Sequence, residues 1–77
     1  MAMRRIGEVV STAQGLAIVR CPGEERPEIG TMVVDDRLDG VGRVVDVFGP
    51  VSRPYVAVTP HEKDDLPGLL GTKLYAR

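Results

Sequence analysis

"VGRVV", residues 41 to 45, repeats the pattern of "IGEVV", residues 6 to 10: an apolar residue, a glycine, a charged residue, then two valines. Short runs rich in β-branched residues fit a pleated strand, because those side chains are stiff and pack well on a sheet surface. The two segments therefore read as the same strand used twice. The echo continues downstream. "AIVRCP" at 17 to 22 compares with "VAVTP" at 56 to 60, and "IGT" at 29 to 31 returns as "LGT" at 70 to 72. Counterparts lie 35, then 38, then 41 residues apart, so the second half carries longer connections in two places.

A half-unit of about 35 residues leaves sheet edges and an apolar face uncovered, and pairing two halves into a closed barrel removes both problems. The expected fold is all-β: a six-stranded, pseudo-twofold closed β-barrel of the small translation-protein type, formed by residues 1–77 as one domain. The predicted strands are Arg5 to Val10, Leu16 to Cys21, Thr31 to Asp35, Val41 to Phe48, Tyr55 to Thr59, and Thr72 to Ala76. Gly, Pro and acidic clusters punctuate them. A helical turn fits between His61 and Leu70, where Pro67 and Gly68 keep it short. Gly7 and Gly42, at matching points, mark bulges or close backbone approaches where so small a barrel bends.

The 77 residues carry ten basic and eleven acidic side chains, a formal charge of −1, so no global field draws in a polyanion. Arg4, Arg5, Arg43, Arg53, Lys73 and Arg77 are dispersed along the chain and read as an ordinary solvated surface. Cys21 is the only cysteine, which rules out an internal disulfide and suits a small buried residue at a strand end. No stretch approaches the roughly twenty apolar residues that span a bilayer. The expectation is a soluble, cytoplasmic protein with no membrane contact.

Catalysis needs two or three groups converging on one point, and the supply is poor. His61, the sole histidine, opens a zinc-protease-like "HE", but Asp65 stands where the second histidine would be required. Asp35, Asp36 and Asp39 lack the ligand alternation of a calcium loop and read as a turn held by side-chain to backbone bonds. Asp46 has no partner group; alternation along its strand places it on one face with Gly42, Val44 and Phe48. The glycines are scattered one per turn, so no phosphate cradle forms. The chain is expected to be no enzyme, and to hold no cofactor and no metal.

"DVFGPVSRPYVAV", 46 to 58, stands out because it places the only Phe and two prolines where a polar turn would ordinarily join two strands. Either Phe48 plugs one barrel end while the prolines stiffen the turn, or the loop is a rigid apolar knob that loses little entropy when a partner covers it. Val51 and Pro54 do not easily both fit inside.

Taken together, "RRIGEVV", "IGTMVVDDRLDGVGRVVDVFGPVSRPYVAV" and "GTKLYAR" resemble the archaeal form of the Gar1 family, the small β-barrel subunit of box H/ACA ribonucleoprotein particles. The resemblance runs from about Arg5 to Arg77, and "GxVVDVFGPV" with "PYV" is its most specific part. It implies a non-catalytic subunit that docks on a dyskerin-type pseudouridine synthase. Through that enzyme it would be linked to box H/ACA guide RNA and substrate rRNA, assisting substrate placement and product turnover. Phe48, Gly49, Pro50 and Val51 match the family's loop, and Pro54 and Tyr55 match the start of the next strand. The resemblance makes Pro50, Val51, Pro54 and Tyr55 the docking patch, with Phe48 turned inward as an anchor and Gly49 giving backbone freedom. The competing expectation is a small RNA-binding barrel acting in ribosome assembly or translation.

Overall fold

A computed structural model describes residues 4–23, 27–62 and 66–77. Six strands form: β1 (Arg4–Ala13), β2 (Leu16–Arg20), β3 (Met32–Val34), β4 (Gly40–Phe48), β5 (Tyr55–Pro60) and β6 (Lys73–Ala76), with a single helical turn, α1 (Leu66–Leu69), before β6. All six expected strands are present, and β1 runs three residues further than its apolar run. Residues 24–26 and Asp65, the position weighed against a zinc site, lie outside the described residues.

The strands close into an antiparallel barrel in the order β1-β2-β5-β4-β3-β6. Exchanging β1 with β4, β2 with β5 and β3 with β6 returns the same cyclic order, which is the expected pseudo-twofold. The registers obey it residue by residue. Val9 pairs with Val19 as Val44 pairs with Val58, and Gly7 with Leu74 as Gly42 with Val33. Val19 thus corresponds to Val58, one step beyond the match read from "AIVRCP" and "VAVTP".

The "IGT" and "LGT" echo has a structural cause. Gly71 N–H donates to the Val9 carbonyl at 2.9 Å, while Val9 N–H donates to Thr72 O at 3.0 Å. In the other half Gly30 N–H donates to Val44 O at 2.8 Å, and Val44 N–H donates to Thr31 O at 2.9 Å. Both glycines have positive φ, 95° at Gly30 and 81° at Gly71, so each tripeptide lays its chain against the middle of the first strand of one half.

Side chains from alternate positions fill the barrel: Val9, Val19, Val33, Val44, Val56, Val58 and Leu74 are fully buried. Cys21, just past β2, is buried with them, and burial pushes its thiol pKa up, which keeps it neutral. Leu69 of α1 packs against this core. No buried polar side-chain atom among the described residues lacks a hydrogen-bond partner. Gly7 and Gly42 are buried where two strands nearly touch: a Cβ on Gly7 would run into the carbonyl oxygen of Arg20, and one on Gly42 into that of Thr59. These are the close approaches expected from the sequence.

One sequence expectation fails at a single residue. The β4–β5 register skips Val45, between Val44 facing Val58 and Asp46 facing Ala57. A bulge of this kind inserts one residue and reverses the parity of the strand beyond it. Val44 points inward, whereas Val45, Asp46 and Phe48 are exposed and Val47 turns back toward the core. Asp46 and Phe48 therefore do not share a face with Val44. Asp46 accepts a hydrogen bond from Val47 N–H at 2.8 Å and serves the local backbone. The counterpart bulge in β1 falls at Val10, between Val9 and Ser11.

Each connection lies at one of two barrel ends. The β1–β2, β3–β4 and β5–β6 connections share one end. The β2–β3 and β4–β5 connections share the other, with the start of β1 and the end of β6. At the first end Asp35 closes the β3–β4 turn, its Oδ1 accepting from Arg37 N–H at 2.9 Å and Asp39 N–H at 3.0 Å. This is the turn role expected of the aspartates. His61 is exposed, its N–H donating to Val41 O at 2.8 Å. Among the described residues no group of three His, Cys, Asp or Glu converges as a metal site, and no helix is long and apolar enough to cross a membrane.

Candidate functional site

The second barrel end holds the apolar connection. Phe48, the last residue of β4, faces Tyr55, the first of β5, and their rings stack with centroids 5.7 Å apart and planes 20° from parallel. Offset aromatic pairs of this kind add about 0.5–1.5 kcal/mol beyond area burial. Between them the chain turns at Pro50, whose carbonyl accepts a hydrogen bond from Arg53 N–H at 3.2 Å. Gly49 has a φ of 91°, and a Cβ there would come 2.8 Å from Cδ2 of Tyr55. Only glycine lets the chain leave the strand so close under that ring.

The arrangement leaves apolar atoms in water. Val51, at the tip, is 75% exposed, and Phe48 is 45% exposed although its ring is stacked. Phe48 is therefore an outward anchor and not the inward plug. The bulge at Val45 is the cause, since it turns Phe48 to the outer face. Pro54 differs in the opposite sense. Expected within the exposed patch, it is fully buried, and its carbonyl accepts from Cys21 N–H at 3.0 Å. It closes the barrel end beneath the patch and shapes it from below.

A second segment joins the surface. Pro27 and Ile29, from the β2–β3 connection, line one cleft of about 640 Å³ with Val47, Phe48, Pro50 and Val51. Ile29 is 66% exposed. The sequence alone assigned this connection no role. Its signal was Ile29 in the first position of "IGT", because the hydrogen bonds of Gly30 and Thr31 to Val44 pin Ile29 beside β4. The surface is thus built from two loops, and its rim is polar through Glu28 and Arg53.

Geometry and sequence now point to one family, since the family model described as "Gar1/Naf1 RNA binding region" matches residues 3–77. The chain belongs to the Gar1/Naf1 family. This is a family of small, RNA-binding β-barrels associated with H/ACA ribonucleoproteins, in which the barrel is a non-catalytic accessory domain. The solved structure of the Gar1 domain of Naf1 superposes with a TM-score of 0.79 at 20% identity, covering 97% of this chain and 85% of that one. That likeness establishes the fold. An uncharacterized protein of Methanocaldococcus jannaschii is 40% identical over 53 residues, which cover 69% of this chain and 62% of the relative's length.

Within this Gar1/Naf1 barrel, Gly49 sets the pose of the stacked pair. Gly49→Ala is expected to cost about 1–3 kcal/mol, from a left-handed backbone and a crowded Tyr55 ring together. Near-ultraviolet circular dichroism should show the Tyr55 signal weakened as the pair comes apart. An unchanged spectrum and melting temperature would show that the turn does not need its glycine.

Proposed function

We propose that the domain is the non-catalytic accessory subunit of a box H/ACA RNA-guided pseudouridine synthase, acting in the cytoplasm of an archaeal-type cell. It docks on the catalytic dyskerin-type subunit through Phe48, Gly49, Pro50, Val51 and Tyr55, with Pro54 supporting them from beneath. The observation that carries the reading is Val51 standing 75% exposed on a hydrogen-bonded turn beside a stacked Phe48–Tyr55 pair. A rigid apolar projection of this kind loses little conformational entropy on binding, and a central aromatic anchor within a polar rim is how a protein interface concentrates its affinity. Ile29 extends the surface on the far side of the cleft. By sitting on the synthase the subunit assists substrate placement and product turnover, steps that loop motion in an enzyme commonly limits.

The description of the family as RNA-binding favours a second reading, an RNA-binding barrel in ribosome assembly or translation. Salt separates the two. In a titration of this domain against the synthase without RNA, an apolar interface is expected to change affinity less than about threefold between about 0.1 and 0.5 M salt, because screening acts mainly on exposed charges. An association that needs RNA, or that vanishes over this range as counterion release dictates, would transfer the function to the second reading.

A further inference from the structure

The basic residues that look dispersed along the chain are gathered by the closure of the barrel. Among the described residues five of them sit on strands (Arg4, Arg5, Arg20, Arg43 and Lys73), while only Glu8 and Asp46 of the acidic residues do; Glu28, Asp35, Asp36, Asp39 and Glu62 are in connections. Glu8 faces Arg20 on one side and Lys73 on the other, so its carboxylate offsets one of those two cations. Arg5 and Arg43 lie on the outer face of the sheet β1-β6-β3-β4, and Arg77 follows the end of β6.

Their order comes from the register. Arg5 of β1 faces Tyr75 of β6, a half-exposed ring that points outward because its neighbours Leu74 and Ala76 are buried. Arg77 N–H donates to Met32 O at 3.0 Å, and Met32 of β3 faces Arg43 of β4. Arg5, Arg77 and Arg43 are all exposed. With neighbouring strands roughly 4.8 Å apart, the strip from β1 to β4 is roughly 14 Å wide. Three guanidinium groups interleaved with an aromatic ring and a thioether make a surface that tracks a phosphate backbone while one base stacks. In the cyclic strand order this strip is centred on the β6–β3 seam, and its β4 edge adjoins the hairpin that carries Phe48 and Tyr55.

We infer that Arg5, Arg43, Arg77 and Tyr75 form a contact site for single-stranded RNA on the outer face of the β1-β6-β3-β4 sheet. The site rests on the family's RNA-binding character and shares no residue with the docking reading. Its strength is modest and set by three phosphate contacts. Each contributes about 0.7 to the slope of log affinity against log salt, so binding should weaken roughly 20-fold between about 50 and 200 mM salt.

The test is fluorescence anisotropy with a labelled oligouridine of about 12 nucleotides, titrated with the 77-residue chain across that salt range. The strip variant Arg5→Gln, Arg43→Gln, Arg77→Gln should lose most of the salt slope and at least about tenfold in affinity at low salt. A control variant, Arg20→Gln, Arg37→Gln, Arg53→Gln, has the same net charge and should bind nearly as wild type. Tyr75→Leu keeps apolar bulk but removes the ring, and is expected to weaken binding about fivefold or more. Circular dichroism melts confirm that each variant is folded. Wild-type chain that does not bind the oligouridine at low salt, or equal losses in the two triple variants, would overturn the site. Val51→Asp should leave this titration unchanged, so failure here and failure of synthase docking are separate results.

Discussion

Gly42→Ala is expected to come close to unfolding the domain. The added methyl group would meet the carbonyl oxygen of Thr59, with the Cα of Pro60 next in line, so relief requires two paired strands to move apart. Backbone cannot swing aside as a flexible side chain does. Overpacking a core typically costs 1–3 kcal/mol even when side chains can adjust, and about 3–5 kcal/mol is expected where they cannot. A chain of this size has about 4–11 kcal/mol in total. The melting temperature should therefore fall by roughly 12 °C or more. Gly7→Ala should match it, because its methyl would meet Arg20 in the symmetry-equivalent way. Gly23→Ala supplies the contrast: among the described residues nothing lies within 4 Å of its added Cβ, and the change is expected within about 0.5 kcal/mol of wild type. Equal melting temperatures for Gly42→Ala and Gly23→Ala would show that the barrel is not limited by these approaches.

The other large effect concerns binding. Val51→Asp should leave the thermal melt unchanged, because a side chain 75% exposed contributes little to the core. Its affinity for the catalytic synthase should drop about 100-fold or more, since a carboxylate covered by an apolar partner is left without a counter-charge. Adding Phe48→Ala removes the ring stacked on Tyr55 and should abolish measurable association at micromolar concentrations. Isothermal titration of each variant against the RNA-free synthase reads both effects. Wild-type affinity in the double variant would move the docking site away from this end of the barrel.

The sequence made the fold legible because its two halves report on each other. A single "IGEVV" is an ordinary strand, but its return as "VGRVV", with glycine in the same place, carries the closure and the twofold as well. What escaped depends on events that leave no periodic trace. The bulge at Val45 sits inside an unbroken valine run and reverses the outlook of Phe48, so alternation alone misplaced that ring. Pro54 and Val51 are both apolar residues of one loop, and only the hydrogen bond from Cys21 to the Pro54 carbonyl decides which of them is covered. Ile29 and Phe48 are far apart in sequence and meet through the pairing of Gly30 and Thr31 with β4. The gathering of Arg5, Arg77 and Arg43 requires β6 to be inserted between β1 and β3, a long-range pairing that charge spacing along the chain does not encode.

Closing the sheet has a consequence for how this protein chooses company. An open sheet offers a neighbour a row of unpaired amide and carbonyl groups, and any extended peptide of suitable length can add itself as another strand. Here β1 is paired on one side with β2 and on the other with β6, and each remaining strand likewise has two neighbours. Backbone, which is the same in every protein, is thereby removed from the molecular conversation. Selectivity is left to a few side chains on loops and outer faces, and those can be altered one at a time while the fold that presents them stays fixed.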